Sequence, residues 1–306
     1  MVISEIIDAW DLGDVTVAAS ADREDWHRVE AQGRQYILKI YREAHRDLEH
    51  IGQGLEMQSY VATSGLATSE LVSTHTGQTF WRTPDMIASM EVALSPRSDG
   101  VSESDWCELG RTVAQLHSLP VPAHIKPSRL EPQTATARSI DSIERNAGGL
   151  SRSSRAVVGA LIDRVSRGNP TNGCYRVLIH SDLCWANIVR TNARGLALID
   201  FEGGGSGPAV MDLPEITTQL CTGPSGSGPL NVPAAIAFFG TYCDCRTVED
   251  MDADLLAYSH AIHELYFLAD ALSRGDHSFV ARMDRRLQTW NDGVLEELGA
   301  IMRSSR

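Results

Sequence analysis

With 306 residues, 42% of them hydrophobic and 22% charged, the chain is long enough to bury a sizeable core and too apolar for disorder, so one large or two modest domains are expected. A net charge of −13 argues against a nucleic-acid partner, whose phosphates need a basic surface, and is compatible either with a cationic ligand or with solubility alone. Cys107, Cys174, Cys184, Cys221, Cys243 and Cys245 show no disulfide or zinc spacing, the N-terminus has no basic region followed by an apolar core, and no apolar run approaches the ~18 residues that cross a membrane, so a cytoplasmic protein with reduced thiols and no membrane partner is expected.

In chain order, Met1 to Leu12 has helical spacing and Gly13 ends it. Val15 to Ala19, Trp26 to Glu30 and Gln35 to Tyr41 then read as an antiparallel meander, with Gln32-Gly33-Arg34 as its second turn. Alternation places Ile37 and Lys39 on one strand face. His45 to Ser64 repeats Leu48, Ile51, Leu55, Tyr60 and Val61 near the helical period. Leu71-Val72 and Thr79 to Trp81 read as two further strands around Thr76-Gly77-Gln78, which gives a five-stranded sheet. A connection is expected between Pro84 and Leu94, then the loop Pro96 to Gly100 and a helix capped by Ser102 or Ser104 that runs to Ser118. His117, at the end of that helix, reads as a packing or capping residue.

Ala135 to Asn146 and Ser154 to Val165 read as helices, and the segment Tyr175 to Asp212 follows them. Two apolar runs, Val177 to Ile179 and Leu196 to Ile199, each deliver a polar residue where the β-favouring sequence stops: His180 and Asp200. Between them lies His180-Ser-Asp182-Leu-Cys-Trp-Ala-Asn187, and the turn Asn192 to Gly195 returns the chain to Asp200-Phe201-Glu202. Gly203 to Pro208 and Gly223 to Pro229 are loops. Val232 to Tyr242, Met251 to Ser273 and Ser278 to Met302 are helices, the middle one apolar over much of its circumference and therefore central. His260, His263 and Glu264 on it lack the H-E-x-x-H spacing of a zinc site and read as buried.

The spacing H-x-D-L-x-x-x-N followed by D-F-E resembles the catalytic and metal-binding loops of kinases. It is similar to the motif H-G-D-x-x-x-x-N with I-D-[FWY]-[DE] of the aminoglycoside phosphotransferase and choline kinase superfamily. Leu109-Gly-Arg-Thr-Val-Ala-Gln-Leu-His117-Ser-Leu-Pro120 resembles that superfamily's L-G-x-x-L-A-x-L-H-x-x-P helix, and Asp212-Leu213 its G-P-x-x-x-D-L segment. Ser181 stands where glycine is usual, Trp185-Ala186 where Pro-Gly is frequent, and Glu202 departs from the D-F-G of protein kinases.

The resemblance implies an α+β, bilobal protein-kinase-like fold. Its N-lobe, residues 1–90, would be a five-stranded antiparallel sheet with a helix, and its C-lobe, residues 91–306, would be mainly helical. It further implies transfer of the ATP γ-phosphoryl group to a hydroxyl, with Asp182 as the base on the acceptor and Asn187 and Asp200 as oxygen ligands of Mg²⁺. Lys39, in a strand like V-A-I-K, would reach the α- and β-phosphates beside Ile37, with Glu56 orienting it and Glu49 as the alternative. The turn Ala19 to Asp25 would cover the phosphates without the usual glycines, with Ser20 nearest to them, and the segment Pro84 to Leu94 would meet adenine.

The expected partner is a small, cationic acceptor, with an aminoglycoside or another basic antibiotic as the first reading. Choline, homoserine or a sugar is the alternative, and a catalytically inactive nucleotide-binding protein is a third. The acids Asp244, Glu249, Asp250, Asp252, Asp254, Glu264 and Asp270 of the C-terminal helices are the candidates to line the acceptor site.

Overall fold

The computed structural model describes residues 3–20, 25–43, 47–96, 101–146, 148, 150–168, 170–191, 195–221, 229–246, 253–276, 278–281 and 292–304. Most of the phosphate-covering turn, the tip of the turn before Gly195, the start of the helix expected from His45, the loop after Pro96, most of the loop Gly223 to Pro229, and Glu249, Asp250 and Asp252 lie outside these residues. The chain forms two compact units, Met1–Asp99 with Ala186–Gly205, and Gly100–Trp185 with Ser206–Arg306. The expected boundary at residue 90 therefore shifts past the end of the sheet, and the segment carrying Asn187 and Asp200 belongs with the first unit.

In the first unit, a short helix α1 (Ile3–Ile7) precedes strands β1 (Val15–Ala19), β2 (Trp26–Ala31) and β3 (Arg34–Arg42), helix α2 (Leu48–Thr63) and strands β4 (Trp81–Thr83) and β5 (Met86–Val92). The sheet order is β1-β2-β3-β5-β4, and all neighbours are antiparallel. Along β2 the alternation is regular: His27, Val29 and Ala31 are buried while Arg28 and Glu30 are exposed. Val29 and Ala31 join Tyr36, Leu38 and Ile40 of β3 in a core with Ile6, Ile7 and Trp10, and Trp10 Nε1 donates to Val72 O at 2.7 Å. Tyr41 and Ile87 form a second core with Leu48, Ile51 and Leu55 of α2, whose first turn is capped by the Asp47 side chain.

The fourth and fifth strands differ from expectation. The segment expected to meet adenine is mostly β5, a strand hydrogen-bonded on both edges, whose residues Met86 to Glu91 are all buried. A strand buried on both faces loses the period-2 signal, so M-I-A-S-M-E-V does not read as one.

The second unit holds α3 (Glu103–Ser118), α4 (Pro132–Asn146), α5 (Arg152–Ser166), β6 (Arg176–Ile179), α6 (Leu213–Leu220), α7 (Val232–Cys245), α8 (Ala253–Arg274) and α9 (Asp292–Ser304). The hairpin β7 (Ile188–Thr191) and β8 (Gly195–Leu198) lies in the first unit, and β9 (Gly205–Pro208), which begins at the boundary, pairs with β6. Ser102 and Asp105 form a reciprocal capping box at the start of α3. α8 packs against α4, α5, α6 and α9 with Leu256, Ala261, Leu265 and Leu268 buried, so it is central to this unit as its composition implies.

Candidate active site

In the first unit, Lys39 is the centre of a charge cluster. Its Nζ lies 2.9 Å from Glu91 Oε1 and 3.2 Å from Asp200 Oδ1, at 2% side-chain exposure, and it sits 4.7 Å from the ring centroid of Trp26, its cross-strand neighbour. Burial alone would lower the Lys39 pKa, but Glu91, Asp200 and Glu202 together outweigh it and raise the pKa above the ordinary lysine value. Burial and the adjacent Asp200 carboxylate push Glu202 up to about 8, and Glu202 hydrogen-bonds with Asp200. Asp200 itself has a left-handed backbone, φ 68°, at the end of the loop that β8 feeds.

Asn187 is buried, and its carbonyl accepts from Ile199 N–H at 2.9 Å, which fixes the loop end beside the strand leading to Asp200. The residues fit a magnesium ion by two observations. The donors are hard oxygens, and two carboxylates, Glu91 and Asp200, face one ammonium, an excess of negative charge that a divalent cation relieves. Among the described residues no group of three or more His, Cys, Asp or Glu could hold a metal ion by itself.

Glu56 is not the partner of Lys39. Both Glu56 and Glu49 are exposed on α2. The helix approaches the D-F-E loop backbone to backbone instead: a Cβ on Gly54 would fall 2.3 Å from Phe201 O, and Gln53 Nε2 donates to Gly204 O at 3.2 Å. That close approach leaves no room for an acidic side chain on this part of the helix face, and Glu91 of β5 takes the place. The sequence hid Glu91 inside a segment read as connection, although a lone acid in an apolar run was the available signal.

Ile37 lines an open groove of about 460 Å³ with Thr16, Ala18, Arg28, Ala93 and Leu94. Ser20 N–H donates to Trp26 O at 2.9 Å, closing the described part of the turn after β1.

The second unit carries Asp182 on a loop that is pinned through its backbone. Asp212 accepts from His180 N–H at 2.8 Å and from Ser181 N–H, while Gln219 accepts from Trp185 N–H and donates to Leu183 O. His117 Nε2 lies 3.0 Å from Asp212 Oδ2 and Nδ1 lies 2.8 Å from Tyr242 Oη. A neutral imidazole that donates to Asp212 and accepts from Tyr242 satisfies all three groups. His117 and Asp212 thus hold the loop, and His117 packs as its position at a helix end suggests.

Burial lowers the His117 pKa below 6.5, and Asp212 offsets this only in part. The unfolded chain then takes up a proton that folded His117 refuses, so stability is present above about pH 6.5 and falls as the pH drops toward the folded value. Thermal scans across this range should show a steeper acid loss for the wild type than for His117→Gln; equal slopes would contradict it.

Ser181 explains its own departure from the family motif. Its φ is 70°, a conformation natural to glycine, and its buried Oγ has no hydrogen-bond partner among the described residues. Ser181→Gly is therefore expected to keep full activity and raise stability by about 0.5–1 kcal/mol. A destabilised glycine variant in chemical denaturation would overturn this account of the loop.

Beside Asp182 stands Arg129, which the sequence did not single out. Its Nη2 lies 3.5 Å from Asp182 Oδ2, and its guanidinium covers Tyr266 and Phe267 at 5.6 and 5.2 Å. The backbone around Arg129 is fixed because Ser128 N–H donates to Ser206 O and Ser206 N–H donates to Lys126 O. Phe267 in turn packs on His263, centroids 4.5 Å apart, and His263 lies 3.6 Å from both Glu215 and Glu264. His260 completes this group at 3.6 Å from Glu264. Of the other acids expected here, Asp244 and Asp254 are exposed and Asp270 pairs with Arg274, so they solvate helix faces, whereas Glu215 was missed.

A five-stranded sheet carrying a buried lysine, followed by H-x-D and D-F-E loops and a mainly helical unit, defines a protein-kinase-like phosphotransferase. The family model described as "Phosphotransferase enzyme family" matches residues 14–232, and the chain belongs to that family. Its enzyme class is that of ATP-dependent small-molecule phosphotransferases. No curated protein matches the chain.

Similar solved structures include a microcompartment-associated aminopropanol kinase (18% identity, 99% of this chain and 94% of that one, TM-score 0.67). A spectinomycin phosphotransferase in complex with ADP and spectinomycin is similar at 14% identity, over 95% and 94% of the two chains, with TM-score 0.63. An aminoglycoside phosphotransferase from Alicyclobacillus acidocaldarius is similar at 16% identity, over 100% and 96%, with TM-score 0.63. At these identities the likeness is one of fold.

Proposed function

We propose that this chain transfers the γ-phosphoryl group of ATP to a hydroxyl of a small cationic molecule. The observation that carries the acceptor class is the group formed by buried His260, His263 and Glu264 with half-buried Glu215, which joins Asp182 through Phe267 and Arg129 within one unit. A buried carboxylate beside a half-buried one favours an ammonium and disfavours an anion. The similar structures named above include kinases of aminopropanol and of aminoglycosides, which is in keeping with an acceptor bearing both an amine and a hydroxyl.

Asp182 orients the acceptor hydroxyl and takes its proton as the oxygen attacks phosphorus. Arg129 holds the Asp182 carboxylate in place. Lys39 neutralises the α- and β-phosphates, Ser20 lies at the turn that meets them, and Ile37 with Leu94 gives the adenine an apolar wall. Asn187 and Asp200 would hold Mg²⁺, which would supply charge neutralisation for the phosphates.

The test is a panel of hydroxyl compounds incubated with purified protein and γ-labelled ATP, with cationic, neutral and anionic members, together with a challenge of a sensitive bacterium expressing the chain. Turnover is expected for amine-bearing alcohols or amino sugars and should weaken as ionic strength rises. Turnover confined to a neutral or acidic metabolite would overturn the acceptor class.

A further inference from the structure

In this first unit the nearer acidic partner of Lys39, Glu91, comes from the sheet, and α2 reaches that pair through a neutral side chain. Gln58 of α2 donates from Nε2 to Ser69 O at 3.0 Å and to Ser69 Oγ at 2.9 Å. Ser69 Oγ donates to Glu91 Oε2 at 2.6 Å, and Glu91 Oε1 stands 2.9 Å from Lys39 Nζ. The four residues are 1%, 3%, 3% and 2% exposed, so the relay is shielded from water along its whole length.

We propose that Glu91, held by the Gln58–Ser69 relay, is the positioning residue that sets Lys39 against the nucleotide phosphates, in place of a carboxylate on α2. The inference rests on the reading of Lys39 as a phosphate ligand and adds what aims it. β5 is hydrogen-bonded to β3, with Ile37 opposite Glu91 and Lys39 opposite Ser89, so the pair is a diagonal contact between neighbouring strands. Its geometry is fixed by the sheet ladder. In protein kinases the lysine–glutamate pair depends on the position of a helix, which makes it a switch. Here the two acids of α2, Glu49 and Glu56, face solvent, and α2 supports the pair through the neutral Gln58 side chain instead of a carboxylate. Glu91 also differs from Asp200, the second partner, whose carboxylate would be taken up by a metal. With Asp200 so engaged, Glu91 would be the carboxylate left to hold Lys39.

The experiment compares wild type, Glu91→Gln, Ser69→Ala, Glu49→Gln and Glu56→Gln by calorimetry of ATP with Mg²⁺ and by steady-state kinetics. Loss of a charge-assisted partner in a buried site predicts that Glu91→Gln weakens ATP affinity and raises its KM on the order of tenfold, with the acceptor KM unchanged. Ser69→Ala, which keeps every charge, should weaken ATP by about threefold through loss of one neutral hydrogen bond to Glu91. Glu49→Gln and Glu56→Gln should stay within about twofold, as expected of exposed side chains. Glu91→Asp should restore part of the loss. Equal losses from Glu56→Gln or Glu49→Gln, or wild-type ATP affinity in Glu91→Gln, would overturn the inference. Should Glu91→Gln fail to fold in a thermal scan, unchanged ATP affinity in Ser69→Ala overturns it instead. A wild-type protein that binds no ATP defeats the functional reading and this inference together; a wild type that binds ATP beside an unaffected Glu91→Gln defeats the inference alone.

Discussion

Asp182→Asn is expected to lower turnover by about 10³-fold while leaving the fold and the affinity for ATP nearly unchanged. Asparagine keeps the shape and can still orient a hydroxyl, but it cannot take the proton. The loop does not depend on the Asp182 side chain, because Asp212 and Gln219 hold its backbone from outside. Arg129 keeps its contacts with Tyr266 and Phe267 in the variant, and the Arg129–Asp182 pair is partly exposed, so its removal leaves no deeply buried charge. All groups assigned to the nucleotide lie in the other compact unit. Steady-state turnover near that of the wild type would remove Asp182 from its role.

Asp200→Ala should abolish the Mg²⁺-dependent part of ATP binding, an affinity loss of more than about 100-fold, because the charged metal ligand is gone. The fold should survive, since Lys39 keeps its ion pair with Glu91 and is not left as a lone buried ammonium. Calorimetric titration of ATP with Mg²⁺ and with a chelator separates the two contributions. Unchanged affinity with Mg²⁺ would place the metal elsewhere.

What the sequence revealed and what it hid divide along physical lines. The strand ends that carry His180 and Asp200 were readable because the apolar runs of β6 and β8 stop just before them. The meander β1 to β3 was readable because β2 alternates. β5 was not, because it is buried on both faces and hydrogen-bonded on both edges. The partner of Lys39 was misplaced for a related reason: which acid meets a buried lysine is decided by strand register and by how closely α2 approaches Phe201, and neither is a local property of sequence. Arg129 and Glu215 lie far from α8 in the chain and meet its aromatic and histidine side chains only through tertiary packing. Ser181 was visible as a departure from the motif, and its positive φ supplies the reason that glycine is usual there.

The central claim is phosphoryl transfer to a hydroxyl with Asp182 acting on the acceptor. Its most direct test is a γ-labelled ATP assay over the acceptor panel, run in parallel on wild type and Asp182→Asn at equal ATP occupancy. Label in an amine-bearing alcohol or amino sugar with the wild type, and its near-complete loss in the variant, is the predicted result. Equal ATP binding by both proteins with no label on any hydroxyl compound would instead describe a kinase-like nucleotide-binding protein and contradict the claim.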